Sequence, residues 1–174
     1  MKSFFALASL AALAVADTYP ALTIEVDGQP KEVYIQWYPW WSSATMDGSS
    51  GFGYDYNNRM FLGNSQNIDI GDYFHPQLVG GSMEYDMDVS RSECGCNSSV
   101  YLVAMPTPES TDDDFKYCDA NAVGGHWCPE FDLFEGNKHA FRTTAHTCTR
   151  GGAYYSSCDT GGQCELDFIT GADG

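Results

Sequence analysis

The sequence predicts an all-β fold, an antiparallel β-sandwich or jelly roll. Three observations carry the prediction. Several short stretches alternate apolar and polar residues with the period of two of a half-buried strand. Turn residues separate them at short intervals, as in sandwiches and jelly rolls. Gly (18 of 174 residues) and aromatic residues (14%) are abundant, and no stretch sustains a helical period, which disfavours a helical bundle.

The elements follow in order. Leu22-Thr23-Ile24-Glu25-Val26 alternates, Asp27-Gly28 turns, and Glu32 to Trp37 alternates again, so the two read as a hairpin or as neighbouring strands. Ser42 to Asn58 is rich in Gly, Ser, Asp and Asn and reads as loop. Gly81 to Val89 reads as a strand, with Met83, Tyr85, Met87 and Val89 on one face and Glu84, Asp86 and Asp88 on the other. Val100 to Met105 is an apolar strand, and Pro106 to Asp114 an acidic loop. Phe131 to Phe134, Ala153 to Tyr155 and Leu166 to Ile169 complete the expected strands. The cluster Trp37-Tyr38-Pro39-Trp40-Trp41 has two readings: core packing, or a platform on which flat sugar faces stack.

Charge and address narrow the function. With 24 acidic and 8 basic residues, the net charge is −16. That speaks against non-specific nucleic-acid binding, which needs a positive field, and against an anionic membrane surface. Met1-Lys2, the apolar run Ser3 to Val15 and the small-x-small site Ala14-Val15-Ala16 have the form of a secretory signal peptide, cleaved before Asp17. The apolar run is too short to span a bilayer, and no other segment approaches the roughly 20 apolar residues required. The expectation is a secreted chain with residues 1–16 as leader and 17–174 as one domain.

Secretion decides how to read the seven cysteines, Cys94, Cys96, Cys118, Cys128, Cys148, Cys158 and Cys164. An oxidising compartment favours disulfides, and no CxxC pair or His-x-x-x-His accompanies them, so neither a metal nor a cofactor is expected. Seven is odd: one cysteine is free, pairs with another molecule, or has its partner outside this sequence.

The chemistry sits in Cys128-Pro129-Glu130-Phe131-Asp132-Leu133-Phe134-Glu135-Gly136-Asn137. In a regular strand Glu130 and Asp132 share a face, with Phe131 and Leu133 packing beneath. Glu135, five residues after Glu130, would face the other way unless a β-bulge between Asp132 and Glu135 adds one residue. Three carboxylates on one face repel each other, and hydrolysis of a glycosidic bond gives a reason for them. One acts as nucleophile, one protonates the leaving oxygen, and a middle acid tunes the pair. The plain alternative is a solvated acidic strand in an acidic protein.

An ordered set of motifs resembles glycoside hydrolase family 7, the cellobiohydrolases and endoglucanases. It comprises Asp86-Met87-Asp88-Val89-Ser90, then Cys94-Gly95-x-Asn97 with Tyr101, Val103 and Met105, then Tyr117-Cys118-Asp119, Gly124-Gly125-His126, Glu130-x-Asp132-x-x-Glu135-Gly136-Asn137 and Ala145-His146-Thr147-Cys148. The set covers roughly Asn58 to Cys164 in the family's order. The resemblance implies a concanavalin-like sandwich and retaining cleavage of β-1,4-glucan such as cellulose. Glu130 is then the nucleophile, Asp132 its tuning partner and Glu135 the acid/base, with His146 near the acid/base and the sugar. Asn97, Tyr101, Tyr117 and Asp119 would line the glycone side. Asn121 stands where the family has Gln, and Trp40 or Trp41 would match a tryptophan at the cleft entrance. His75, His126 and His139 read as ordinary surface or loop residues. Asn97-Ser98-Ser99 is also a glycosylation sequon, and Asn97 is expected unmodified.

The resemblance also implies disulfides Cys118–Cys128 and Cys148–Cys158. The family's partners for Cys94 and Cys164 fall beyond Gly174, and Cys96 has no counterpart, so its pairing with Cys94 or Cys164 stays open. The family's domain is more than twice this length, so the expected sandwich is incomplete. Two classes of function follow: a retaining glucanase, or a non-catalytic glucan-binding or inactive relative.

Overall fold

A computed structural model describes residues 19–37, 44–66, 72–105, 117–123, 125–151, 154–162 and 164–169, the side chains of Tyr154 and of residues 164–169 excepted. The expected leader, Trp40, Trp41 and the loop from Pro106 to Asp114 lie outside the described residues. The described residues form eleven strands and no helix, and every strand pairing is antiparallel. The all-β antiparallel class expected from the sequence is therefore the class observed. None of the described residues forms a helix long and apolar enough to cross a membrane. The chain divides into two compact units, Met1–Ile68 and Asp69–Gly174.

In the first unit, β1 (Ala21–Val26) and β2 (Gln29–Trp37) form the expected hairpin. Its turn works because Asp27 and Gly28 both adopt positive φ, 53° and 73°, matching the right-handed twist of the strands. β5 (Met60–Gly63) pairs on the far side of β2, giving the order β1-β2-β5. Leu22 lies directly across from Val33, and with Ile35 they bury an apolar face; Val33 and Ile35 are fully buried. Each such side chain stabilises the unit by about 1.5–3 kcal/mol. Tyr19 closes the end of this core, its ring edge-on to Trp37 at 4.8 Å and its hydroxyl donating to the Trp37 carbonyl at 2.5 Å. On the other face Gln36 lies over Gly63, where a Cβ would come within 2.2 Å of the Gln36 amide, so a side chain here would displace that amide from the Ser65 carbonyl.

The stretch from Ser42 to Asn58, read as loop, contains a small hairpin of β3 (Thr45–Asp47) and β4 (Gly51–Gly53). Gly48, at a φ of 65°, turns the chain, and the Ser49 carbonyl accepts the Thr23 N–H at 2.6 Å. The turn-forming composition reflects the reversal at Gly48. It hid the strands on either side because three residues are too few to show a period.

In the second unit, β6 (Ser98–Val103), β7 (Glu130–Gly136), β8 (Ala140–His146) and β11 (Cys164–Ile169) form a four-stranded sheet in the order β11-β8-β7-β6. β9 (Cys148–Gly151) and β10 (Tyr154–Cys158) form a separate hairpin, with Cys148 and Cys158 directly opposite. β7 and β8 are joined at Asn137, whose Oδ1 accepts the His139 N–H at 2.9 Å. Gly136 is required at this corner: a Cβ would meet the Ala140 carbonyl oxygen at 2.3 Å.

Two expectations need correction. Gly81 to Val89 joins no sheet, and Met83 and Tyr85 remain about 40% exposed. Alternation shows which residues can share a face, but a strand also needs a neighbour to bond, and no described residue pairs with this segment. Phe131, expected to pack beneath the acids, is 45% exposed on the opposite face of β7; Phe134 and Phe141 stack on each other there at 4.9 Å.

Candidate active site

The site is built on β7 and its two neighbours. β8 runs without interruption from His146 through Thr144 to Arg142, so these three side chains share one face. Glu130 lies across from His146, Asp132 across from Thr144 and Glu135 across from Arg142. Three steps on β7 match two on β8: the ladder shifts between Asp132 and Glu135 by one residue. β6 shows the matching irregularity, with Val100 opposite Phe134 and Tyr101 opposite Asp132. This is a β-bulge, and it puts Glu135 on the face that carries Glu130 and Asp132.

Each carboxylate has its own partner. The Ala120 N–H donates to Glu130 Oε2 at 2.8 Å. His146 Nε2 stands 2.9 Å from Asp132 Oδ2, which is almost wholly buried. The Asn97 amide donates to Glu135 Oε1 at 3.1 Å and to Ser99 Oγ at 3.0 Å. Asp132 also meets Glu135 as a hydrogen-bond partner, so the middle acid links the imidazole to the third carboxylate.

The proton arrangement follows. His146 Nδ1 is 2.6 Å from the Asp159 carbonyl oxygen. A carbonyl only accepts, so Nδ1 carries hydrogen, and a second proton lies between Nε2 and Asp132. Burial opposes charge on His146, but the Asp159 carbonyl and the Asp132 and Glu130 carboxylates outweigh it and hold the imidazole above its ordinary value. Burial, then the charge of Glu135, raises Asp132, with His146 opposing. Glu130 is pushed up to about 7, first by burial and further by Asp132 and Asp119, against the Ala120 N–H and His146. The face therefore holds fewer charges than carboxyl groups near neutral pH, which is how three acids can share it.

Glu130, Asp132 and His146 each bring one ligand-type atom within 4.8 Å of the others. At such separations their titrations are coupled, and the 2.9 Å contact of His146 with Asp132 is short enough to share a proton.

Other expected residues fall around this centre in different ways. Tyr101 lies across from Asp132, and its hydroxyl is 3.1 Å from that of Tyr117. Tyr117 and Asp119, expected to line a sugar cleft, are buried at 2% and 3% exposure. Asp119 Oδ1 instead accepts the backbone N–H groups of Asn121 at 3.0 Å and Val123 at 2.9 Å. Asn121 is exposed on that turn. His146, expected near Glu135 and the sugar, lies against Asp132 and opposite Glu130, and Asp132 in turn meets Glu135. Cys118–Cys128 and Cys148–Cys158 are bonded as expected. Cys94 and Cys96 are exposed thiols and do not pair with each other.

The sequence reading missed four contributors. Ala120 and Asp159 act through backbone atoms, which leave no mark in a motif. Thr144 is 2% exposed, with no partner for its hydroxyl among the described residues, and Arg142 stands across from Glu135. The register of β8 assigns both to the acidic face, and counting back in twos from His146 would have found them. Gly162, at a φ of 75°, covers the same end: a Cβ there would lie 2.1 Å from the Thr144 methyl and 3.5 Å from the His146 ring.

No protein-family model matches the chain. Its similarity to characterised proteins is nevertheless consistent in kind. It is 30% identical over 146 residues to endoglucanase EG-1 of Hypocrea jecorina, a match covering 70% of this chain and 30% of that one. It is also 30% identical over 118 residues to endoglucanase 1 of Humicola insolens, covering 56% and 29%. The fold resembles the native structure of Humicola insolens endocellulase EGI, with a TM-score of 0.50 and 17% identity over 88% of this chain and 60% of that one. That likeness places the fold in the β-sandwich class. The chain spans about 30% of the length of the curated relatives it matches.

Proposed function

The chain is a relative of the endoglucanases of glycoside hydrolase family 7, and on that premise we propose that it is a secreted retaining glycosidase acting on β-1,4-glucan. The observation that carries the proposal is the bulge in β7, which assembles Glu130, Asp132 and Glu135 on one face. Glu130 attacks the anomeric carbon and forms a glycosyl-enzyme bond, while Glu135 gives its proton to the leaving oxygen. Glu135 then takes a proton from water, and water releases the sugar with its configuration retained. Asp132 holds the middle position, stabilised when ionised by His146. Asn97 orients Glu135 through its amide. Residues 1–16 serve as the leader that directs the chain outside the cell, and residues 17–174 carry a family 7-like catalytic domain.

The nucleophile must be ionised to attack. With Glu130 pushed up to about 7, kcat/KM on a soluble cello-oligosaccharide rises with pH toward that value instead of levelling near 4.5. Glu130→Gln keeps the shape and removes the nucleophile. It lowers kcat by roughly 10³-fold or more and leaves oligosaccharide binding largely intact. Equal rates for the two proteins would overturn the role of Glu130. Binding without turnover in the unsubstituted chain would establish the alternative, a glucan-binding relative that does not hydrolyse. Secretion is read by N-terminal sequencing of the protein exported from a fungal host, which should begin at Asp17.

A further inference from the structure

We infer that Asp119 is a positioning residue for Glu130: it clamps the turn after Cys118 so that the Ala120 N–H is held on the Glu130 carboxylate. The inference deepens the proposed reaction and departs from a sugar contact at this position.

The clamp can be followed atom by atom. Asp119 is 3% exposed, so its carboxylate is withdrawn from solvent and from any sugar. Oδ1 accepts two backbone donors, the N–H groups of Asn121 and Val123, in the manner of an Asx-turn extended by one more bond. The Asp119 carbonyl accepts the Ala122 N–H at 3.3 Å and the Cys128 N–H at 3.1 Å. The first bond closes the turn and the second ties it to the segment leading into β7. The Cys118–Cys128 disulfide makes the same connection covalently. Ala122 takes a φ of 53°, which few non-glycine residues adopt, so the turn needs outside support to hold its shape.

One donor in this turn is left over. The Ala120 N–H points away from Asp119 and meets Glu130 Oε2 at 2.8 Å. Ala120 is fully buried, so the bond is shielded from water and carries no side chain that could adjust it. Its direction depends on the turn, and the turn depends on Asp119. An N–H donated to a carboxylate favours the ionised form, the form that attacks. Asp119 also acts on Glu130 directly through its charge, and with the opposite sign. The other charged groups facing Glu130 are Asp132 on its own strand and His146 across the ladder on β8.

Those opposed signs make the clamp testable. Asp119→Asn removes the charge and keeps an oxygen that accepts both N–H groups. Asp119→Ala removes the charge and the acceptor together. The Glu130 side-chain carboxyl is followed by carbon-detected NMR across pH 3 to 9 in the full chain, alongside the Ala120 amide signal. With the clamp acting, Glu130 in Asp119→Asn titrates below the unsubstituted protein, and the Ala120 amide still tracks that titration. In Asp119→Ala, Glu130 titrates at least half a pH unit above Asp119→Asn, and the Ala120 amide no longer follows it. If the two variants shift Glu130 equally, Asp119 acts by charge alone and the clamp is wrong. Loss of the Ala120 response in Asp119→Asn would also overturn it, and that variant decides the matter even if Asp119→Ala does not fold. Hydrolysis provides a separate reading: the acidic limb of kcat/KM should move with the Glu130 titration in each variant. A chain that does not hydrolyse glucan defeats the proposed reaction, while the NMR result still decides the clamp.

Discussion

The two larger sheets among the described residues bury different kinds of chemistry. The β1-β2-β5 sheet buries Leu22, Val33, Ile35 and Tyr19 on one side, with the Tyr19 hydroxyl on the Trp37 carbonyl, and a single uncharged amide, Gln36, bonded to the Ser65 carbonyl, among its described buried residues. The β11-β8-β7-β6 sheet buries Asp132 and Thr144, and beside it the buried positions are Tyr117, Cys118, Asp119, Ala120 and Cys128. One sheet is stabilised by removing apolar surface from water. The other withdraws carboxyl groups from water, which costs stability, and offsets that with directed hydrogen bonds and a disulfide. The acidic face thus sits on the less favourably buried sheet, and its hydrogen-bond partners hold it in place.

The largest expected effect on stability tests the apolar sheet. Ile35 is fully buried, so Ile35→Ala should destabilise the protein by about 4 kcal/mol through lost burial and the cavity left behind. The ring-current and amide shifts around Glu130 should stay in place. If urea unfolding showed a loss under about 1 kcal/mol, the picture of a sheet held by its apolar core would fail.

The next effect tests the crosslinked region. Replacing Cys118 and Cys128 together by Ser opens a bridge of sequence separation 10, which on the chain-entropy account costs about 3 kcal/mol. Unlike Ile35→Ala, this change should also release the Ala120 amide from Glu130. A protein that loses stability while that amide keeps its response to pH would separate the disulfide from the geometry of the site.

The smallest effect is a pH dependence confined to the acidic sheet. Glu130 ionises near 4.5 unfolded and about 7 folded, so the folded state binds the extra proton in that window. Stability is therefore greater below about 4.5 and declines as pH rises toward 7. His146, held above its ordinary 6.5, contributes in the same direction: its share is present below 6.5 and is lost as pH rises through its folded value. The thermal midpoint should fall from pH 5 to pH 7.5, and Glu130→Gln should flatten part of that decline. A midpoint that rises over this interval would mean that the acids are not buried as described.

Much of this was legible in the sequence, for reasons that are local. The hairpin of β1 and β2 showed itself because alternation and an Asp-Gly turn are read from adjacent residues. The bulge was legible because period two forbids Glu130, Asp132 and Glu135 from sharing a face without one. The failures were equally physical. Gly81 to Val89 has a strand's alternation but no described neighbour to pair with, and β3 and β4 are too short to show a period. The resemblance pointed to Asp119 and His146 as part of the site, but the backbone groups that Asp119 accepts and the Asp132 contact of His146 come from distant segments and leave no mark in the motif.

The sequence by itself determined the antiparallel β class, the faces of the acidic strand and, through family resemblance, the cysteine partners. Only the tertiary structure decided that His146 shares a proton with Asp132, that Asp119 serves the backbone, and that the Ala120 N–H and the Asp159 carbonyl meet Glu130 and His146. The division has one cause. A side chain's face follows from its own strand's period. Its partner and its burial depend on the register and packing of segments far away in the chain, and these set what a carboxylate can do.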